Sequence, residues 1–294
     1  MSKILVLSNN CFSKTKNNGK TLYNIFENLI IKNQICSIYF SYEKQEIDIP
    51  TLCINEKILL NLSSNKEERE IKITKKITEF RRLLREMVWL VFNVWKKDTV
   101  EFAKNQDVNT IFLLAGDSIF MYRIALYIHK KTRKKLVLYY TDDYIYKKYD
   151  GICGKIRKKI ICYYVNKAIG EARDVFVISQ KMKEQYDKRF NIKTRLLGMT
   201  FTNETKVKNK IVNSKELIFS YIGNLGLGRL QSVLFIADLI KMINLKYLVS
   251  WKLNIFSNYV LDENEKKRVL KNEVICWRGY IDEIQVKAQI QNSD

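Results

Sequence analysis

Short apolar runs alternate with longer stretches of helical periodicity along the first two thirds of the chain. Five such runs predict buried strands: KILVLSN, QICSIYF, TIFLLAG, KLVLYYTDD and DVFVIS. Between them, apolar residues such as Leu22, Phe26 and Leu29 recur at helical spacing, which predicts amphipathic helices. Strands that alternate with helices are typical of a parallel sheet with helices on both faces. We therefore predict an α/β fold with a doubly wound, Rossmann-like domain over residues 1–199.

A second region of alternation follows a break in this pattern. Residues 200–214, TFTNETKVKNKIVNS, have no apolar periodicity and predict a linker. Strand and helix patterns then resume over residues 215–294, with about three strand–helix units where a free-standing doubly wound domain has five or six strands. We therefore expect a second Rossmann-like domain that is incomplete, and a chain that is truncated.

The second domain opens on a glycine-rich stretch, FSYIGNLGLGR, between a predicted strand and a predicted helix. A strand, a glycine-rich turn and a helix together form a common anion site, because backbone N–H groups and the helix dipole point at the ligand. Gly223, Gly226 and Gly228 lack the Cβ atoms that would block a close approach, and Arg229 adds a guanidinium suited to phosphate oxygens. We interpret the stretch as a phosphate-binding loop; a turn without a ligand is the alternative.

A nicotinamide cofactor does not fit this loop. The dinucleotide pattern G-x-G-x-x-G would require glycine where Gln231 stands. The next predicted strand ends in IFSN and lacks the carboxylate that binds a ribose in such proteins. We therefore expect no cofactor, and a ligand that is a substrate.

Two carboxylates end a predicted strand of the first domain in the run YYTDDY. Asp142 and Asp143 could orient a hydroxyl group of an acceptor or could cap the turn, and we favour the first of these roles. The single histidine, His129, falls within a predicted helix in the run LYIHKKT. We interpret it as a surface or packing residue rather than a catalytic one.

The chain is strongly basic, with a formal net charge of +21 from 52 Lys and Arg against 31 Asp and Glu. Such a charge attracts polyanions, including nucleic acid, nucleotide phosphates and anionic membranes. The lysines are spread along the chain and no RNA-binding or zinc-finger signature accompanies them, so a general compositional bias explains the charge equally well. Nucleic-acid binding is the less favoured alternative, and we expect no nucleic-acid partner.

The cysteines form no metal-binding pattern. There are six of them, without a C-x-x-C pair, and one histidine to complete a site. We therefore expect no metal, and reduced thiols of the kind found in a cytoplasmic protein.

One segment, residues 75–97, has a membrane-like composition: KKITEFRRLLREMVWLVFNVWKK. Arg85 and Glu86 interrupt its apolar part, which is shorter than the roughly 20 residues of a membrane span. We favour a helix that packs on the core and presents a basic face to solvent. The alternative is a basic helix in the headgroup layer of an anionic membrane, with three aromatic residues as its contacts: Trp89, Phe92 and Trp95.

Together these motifs resemble the GT-B glycosyltransferases, specifically the retaining family four group that builds capsular and other surface polysaccharides. The run KILVLSNNCFSKTKNNGKTLYNIFENL is similar to the family's first strand, glycine-containing cleft loop and helix. Gly19 occupies the first of the two usual glycines and Lys20 replaces the second. DVFVISQKMKEQY resembles a segment near the end of the family's first domain, and YIGNLGLGRLQSVLFIADLI resembles the start of its nucleotide-binding domain.

The resemblance assigns roles to the glycine-rich loop. Where the family has glycine, arginine, leucine, three variable residues and lysine, this chain has Gly223, then Asn224 for the arginine, and Arg229 for the lysine. Arg229 would hold the donor's diphosphate. Asp142 and Asp143 follow a strand after which the family often has a histidine. The family's paired glutamates would lie beyond residue 294, after the helix that GYIDEIQVKAQIQNSD resembles.

The resemblance implies a cytoplasmic enzyme of the hexosyltransferase type that could work at the inner face of the membrane. It would transfer a sugar, with retention of configuration, from a nucleotide-sugar donor to a hydroxyl of an envelope or capsular glycan. The acceptor would be a glycan or a lipid-linked glycan, and residues 75–97 could contact the anionic membrane. An inactive, truncated fragment that at most binds nucleotide is the alternative.

Overall fold

The computed structural model describes the following residues: 3–14, 17–40, 45–54, 80, 83–84, 86–88, 95–147, 149, 151–198, 215–226 and 228–292. The chain divides into two compact units, which we call unit 1 (Met1–Thr202) and unit 2 (Asn203–Asp294). The predicted linker, residues 200–214, and most of the membrane-like segment, residues 75–97, lie outside the described residues.

Unit 1 is built on a seven-stranded parallel sheet with the strand order β3-β2-β1-β4-β5-β6-β7. The chain starts in the middle of the sheet, runs to one edge and then crosses to the other side, so the order reverses between β1 and β4. The loops after parallel strands share one edge of the sheet, and ligands commonly bind where the order reverses. The strands are β1 Lys3–Ser8, β2 Ile35–Tyr39, β3 Thr51–Cys53, β4 Val108–Ala115, β5 Lys135–Tyr140, β6 Asp174–Val177 and β7 Arg195–Leu196.

Helices cover both faces of this sheet. They are α1 Asn17–Ile31, α2 Trp95–Asn105, α3 Ile119–Thr132, α4 Gly151–Glu171 and α5 Gln180–Phe190. Alternate residues of β4 enter different cores: Leu113 packs with α2, α3 and α4, whereas Phe112 and Leu114 pack with α1. This two-sided burial explains why the strands read as continuous apolar runs.

Unit 2 contains a smaller parallel sheet with the order β10-β9-β8. Its core joins this sheet to one face of α6, with Leu230, Val233 and Ala237 buried at helical spacing. Helix α7 begins with a capping box in which Asp262 and Glu265 each satisfy backbone N–H groups. The elements are β8 Ile218–Ile222, α6 Arg229–Tyr247, β9 Lys252–Phe256, α7 Glu263–Leu270, β10 Ile275–Gly279 and α8 Glu283–Asn292.

The predicted fold class is confirmed: this is an α/β protein with a seven-stranded parallel sheet and a smaller three-stranded parallel sheet. Three elements went unpredicted. Strands β3 and β7 are three and two residues long, too short to show a period. Helix α2 is mostly polar, with five charged residues among eleven, and buries a narrow stripe of Trp95, Thr99 and Ala103. Trp95 is 4% exposed, so its suggested contact with lipid headgroups is wrong: it packs in the core.

Candidate functional site

The glycine-rich loop joins β8 to α6 in unit 2. Gly223 has a φ of 150° and Gly228 has a φ of 83°, and both values lie in the region that glycine tolerates best. Gly223 donates its N–H to the carbonyl of Phe256 at the end of β9, 3.0 Å away, which ties the start of the loop to the neighbouring strand. Leu225 is buried in the unit 2 core. The two glycines therefore allow a tight turn between anchored ends.

Asn224 organises the exposed part of this loop. Its side-chain Oδ1 accepts the N–H of Gly226 at 2.6 Å, so it stabilises the turn locally. Its carbonyl oxygen accepts the hydroxyl of Tyr221 at 2.8 Å and Nη1 of Arg229 at 3.3 Å. Arg229 is exposed. The guanidinium is thus held at the loop by one hydrogen bond from Nη1, which leaves its other N–H groups available to a ligand.

The backbone N–H groups at the start of α6 are hydrogen-bonded to carbonyl groups of the preceding loop and of the helix start itself. The first three helical N–H groups, from Arg229 to Gln231, donate to loop carbonyls at 3.1–3.3 Å. Within the described part of the loop, the N–H groups of Asn224 and Leu225 donate to no protein acceptor. Because Leu225 is buried, an anion bound here would meet the N–H group of Asn224 and the Arg229 guanidinium.

A second guanidinium lies beside the same helix start. Nη1 of Arg268, on α7, donates to Oε1 of Gln231 at 3.0 Å, and Arg268 is exposed. Sequence reasoning missed this residue because it stands in the charged run ENEKKRVL, which predicts only a solvated helix face. The pairing with Gln231 spans 37 residues and has no local signal. Arg268 therefore offers a second cation near the glycine-rich loop.

In unit 1, the two carboxylates after β5 have different surroundings. Oδ1 of Asp143 accepts the N–H groups of Ile145 and Tyr146, each at 3.1 Å, so Asp143 caps the turn. Asp142 is exposed, and its Oδ2 accepts the hydroxyl of Tyr144 at 3.0 Å. Burial and the Asp142 charge raise the pKa of Tyr144, which keeps that hydroxyl protonated as a donor. Asp142 is the carboxylate left open to solvent.

The predicted cleft loop is helical instead. Gly19 and Lys20 fall in the first turn of α1 rather than in a loop, because that helix already begins at residue 17. A Cβ at Gly19 would lie 2.3 Å from the carbonyl oxygen of Cys11 and 3.0 Å from the N of Ser13. The glycine is therefore required by a close backbone contact between the helix and the preceding loop. Lys20 is partly buried.

An ion-pair network lies near the carboxyl end of β4, where the sequence predicted only a strand end and a basic helix. Arg157 on α4 binds both carboxylate oxygens of Glu86, and its Nη1 lies 3.6 Å from Oδ2 of Asp117. Asp117 also pairs with Lys147 at 3.0 Å. Burial and Asp117 raise the pKa of Glu86, and this rise outweighs the lowering by Arg157. No local signal marks Arg157 as buried, since its partner is 71 residues away.

The remaining candidate chemistry is limited. Among the residues that the structure describes, no three His, Cys, Asp or Glu side chains are grouped to hold a metal ion. All six cysteines are described and carry free thiols. Nδ1 of His129 lies 2.7 Å from the carbonyl oxygen of Lys134, which suits a packing role. Across the described ranges, every helix is too short or too polar to span a bilayer.

In sequence, no family model matches the chain, and no curated protein matches it significantly. In structure, OtsA in its apo form aligns with 98% of this chain and 76% of its own, at 10% identity and a TM-score of 0.52. UGT89C1 of Arabidopsis thaliana, complexed with UDP-L-rhamnose, aligns with 97% of this chain and 71% of its own, at 9% identity and a TM-score of 0.48. UDP-GlcNAc 2-epimerase of Neisseria meningitidis, bound to UDP-GlcNAc, aligns with 100% and 76% respectively, at 9% identity and a TM-score of 0.44. The fold is GT-B-like. At sequence identities this low, the similarity shows the fold and does not show an activity.

Proposed function

We propose that this chain binds a nucleotide-sugar donor at the β8–α6 loop and transfers the sugar to a hydroxyl of an envelope or capsular glycan. The observation that carries the proposal is the position of Arg229, whose guanidinium is held at a glycine-rich turn between a parallel strand and a helix. A diphosphate is the group that such a turn suits. The GT-B-like fold, which this chain shares with OtsA, is compatible with such a donor.

The reaction breaks the bond between the sugar C1 and the donor's phosphate oxygen, and forms a bond between C1 and the acceptor oxygen. Negative charge develops on the leaving nucleoside diphosphate, which takes up the proton that the acceptor hydroxyl gives up. Arg229 and the N–H group of Asn224 would stabilise the leaving group, with Arg268 as a second cation. Gly223, Gly226 and Gly228 allow the backbone to approach it. We propose retention of configuration, on the strength of the family resemblance.

The acceptor side of the proposal rests on unit 1. Asp142 is the carboxylate we propose to orient the acceptor hydroxyl, since Asp143 is engaged in capping the turn. Gly19 and Lys20 follow β1, whose carboxyl end is on the same edge of the sheet as that of β5. We propose Lys20 as a further contact for a polar substrate group, with Gly19 shaping the start of α1.

We further propose that the enzyme works in the cytoplasm at the inner face of the membrane, where a lipid-linked acceptor would be found. Residues 75–97 would contribute the membrane contact through their basic residues and their aromatic residues other than Trp95, which packs in the core. Flotation with vesicles that contain anionic lipid tests this point. Salt-sensitive flotation supports it, and recovery of the protein only in the unbound fraction rejects it.

The enzymatic proposal is tested by incubating the chain with UDP-, GDP- and TDP-sugars and candidate glycan acceptors. Mass spectrometry should detect an acceptor enlarged by one sugar, together with free nucleoside diphosphate. A change of sugar stereochemistry without transfer would indicate an epimerase, and binding without any product would indicate a chain that only holds nucleotide. A steep loss of DNA or RNA binding with salt in a filter assay would favour the nucleic-acid alternative.

A further inference from the structure

A second candidate site lies in unit 1, in a groove of about 520 Å³ between α2 and α3. Four lysines line it: Lys96, Lys97, Lys104 and Lys131. We propose that this groove binds a cluster of two or more phosphate groups, carried either by a soluble polyphosphate compound or by phospholipid headgroups. The inference does not depend on the proposed donor site, because the groove is not part of the β8–α6 loop. Lys96 and Lys97 do belong to residues 75–97, so the phospholipid case shares these two lysines with the proposed membrane contact.

Helix geometry brings the lysines together. Lys97 and Lys104 are seven residues apart on α2, which places them on one face, and Lys131 follows Tyr127 by one turn on α3. The Tyr127 ring is held by Trp95, which is 4% exposed and contacts it edge-on with the centroids 5.6 Å apart. The Tyr127 ring that lines the groove is therefore fixed by packing on Trp95 beneath it.

Tyr127 also gathers two of the cations. The Nζ atoms of Lys96 and Lys131 lie 5.5 and 6.0 Å from the centroid of its ring. The ring quadrupole attracts both ammonium groups and keeps them in the groove although they repel each other. A bound polyanion would relieve that repulsion.

The groove has an unbalanced charge. Its four lysines face one acidic lining residue, Glu101, and none of the four makes an ion pair with a carboxylate of the described residues. Lysine ammonium groups bind phosphate as point charges from several directions, which suits closely spaced phosphates better than a flat carboxylate. The excess of three positive charges over Glu101 matches a compact, highly charged anion such as tripolyphosphate.

Single-stranded nucleic acid fits the groove less well. Proteins that bind it stack bases on the faces of aromatic rings. Here two ammonium groups lie over the ring of Tyr127, which is the aromatic side chain lining the groove. Phosphate groups would be bound while bases would find no stacking surface.

The test is a calorimetric titration of the full chain with sodium tripolyphosphate at low salt. In the double variant Lys97→Gln/Lys131→Gln we expect the affinity to fall by about tenfold or more, because two charge-assisted contacts are lost. The control is Lys167→Gln/Lys188→Gln, which removes the same charge from exposed positions on α4 and α5 and should bind as the wild type does. Arg229→Ala should also bind tripolyphosphate in the groove, which separates this proposal from the donor site.

The source of the phosphate is decided by parallel arms with phosphatidylglycerol vesicles, phosphatidylcholine vesicles and free tripolyphosphate. If the groove variant loses binding to phosphatidylglycerol vesicles and the control keeps it, the site binds a membrane surface. Tripolyphosphate binding with the same pattern, without vesicle binding, assigns it to a soluble ligand. Three results would overturn the proposal. They are an equal loss of binding in the groove variant and the control, no binding of any probe by the wild type, and tighter binding of a single-stranded oligonucleotide through the same lysines.

Discussion

Arg157 and Glu86 form a bidentate ion pair inside unit 1. Nε of Arg157 lies 3.0 Å from Oε2 of Glu86, and Nη2 lies 3.1 Å from Oε1. The two side chains are 2% and 7% exposed. Burial opposes both charges: it lowers the pKa of Arg157, but the bonds to Glu86 outweigh that effect and the pKa is raised. Each buried charge is therefore stabilised only while the other is present.

Removing one partner should expose this dependence. We expect Arg157→Ala to lower the free energy of unfolding by about 3–5 kcal/mol, because it leaves the Glu86 carboxylate buried without its cation. Urea denaturation followed by circular dichroism measures the change. Arg173→Ala is the matched control, since it breaks an exposed pair with Asp174 at 3.7 Å and should cost less than about 1 kcal/mol. Equal losses in the two variants would contradict the role assigned to burial.

Substitution by alanine should change the stability in opposite directions at two glycines. Gly19→Ala places a methyl group 2.3 Å from the carbonyl oxygen of Cys11, so the backbone must shift, and we expect a loss of about 1–3 kcal/mol. Gly170→Ala on α4 meets no heavy atom within 4 Å and should gain about 0.5 kcal/mol from helix propensity. Thermal melts of both variants check the contrast. A neutral Gly19→Ala would show that α1 does not need this close contact.

The two aspartates after β5 should separate into a structural and a substrate-facing residue. Asp143→Ala loses two backbone caps and should destabilise unit 1 by about 1 kcal/mol. Asp142→Ala should change the stability by less than about 0.5 kcal/mol. If Asp142 orients the acceptor, the same variant should lower kcat for sugar transfer while donor binding stays unchanged. Wild-type transfer by Asp142→Ala would remove the acceptor role.

Asp187 on α5 should make stability depend on acid pH. Burial alone would raise the pKa of Asp187, but hydrogen bonds from Lys183 and Thr194 outweigh it and hold that pKa below its ordinary value of 3.8. Because the folded pKa is depressed, the contribution is present above pH 4 and is lost as the pH falls below it. We expect Asp187→Asn to cost about 1 kcal/mol at pH 6.

The test of this pH dependence is urea unfolding of the wild type and Asp187→Asn at pH 6, 4 and 3. The difference between them should shrink at the lowest pH. Glu184→Gln, an exposed change on the same helix, should cost less than about 0.5 kcal/mol. A difference between the wild type and Asp187→Asn that grows as the pH falls would contradict the assignment.

The local features of the fold could be read from the sequence. Ser179 stands directly before the helical run QKMKEQYDKRF, and its Oγ accepts the N–H of Met182 at 3.3 Å. Such a cap is visible in the sequence because it depends on residues three positions apart. The strands of the parallel sheet were equally visible, since burial on both faces makes them apolar throughout.

Features that depend on distant partners could not be predicted. Arg157 belongs to a helix that reads as basic, and its burial follows from Glu86 and Asp117, which are 71 and 40 residues away. Arg268 reaches Gln231 across 37 residues. Asp142 and Asp143 are the same residue type, and the conformation of the following turn determines that Asp143 accepts its backbone N–H groups. Gly19 looked like a loop glycine because the residues before it are polar, yet its role is a close contact inside a helix.

The central claim is that Arg229 holds the phosphates of a nucleotide-sugar donor, and titration of UDP and UDP-sugars by calorimetry tests it most directly. The control is Lys246→Ala, in the last turn of the same helix about 25 Å away at 1.5 Å per residue. We expect the wild type and Lys246→Ala to bind equally, Arg229→Ala to bind about tenfold more weakly, and Arg268→Ala to lie between them. Equal affinity of Arg229→Ala and the wild type, or no binding of any nucleotide by the wild type, would contradict the account.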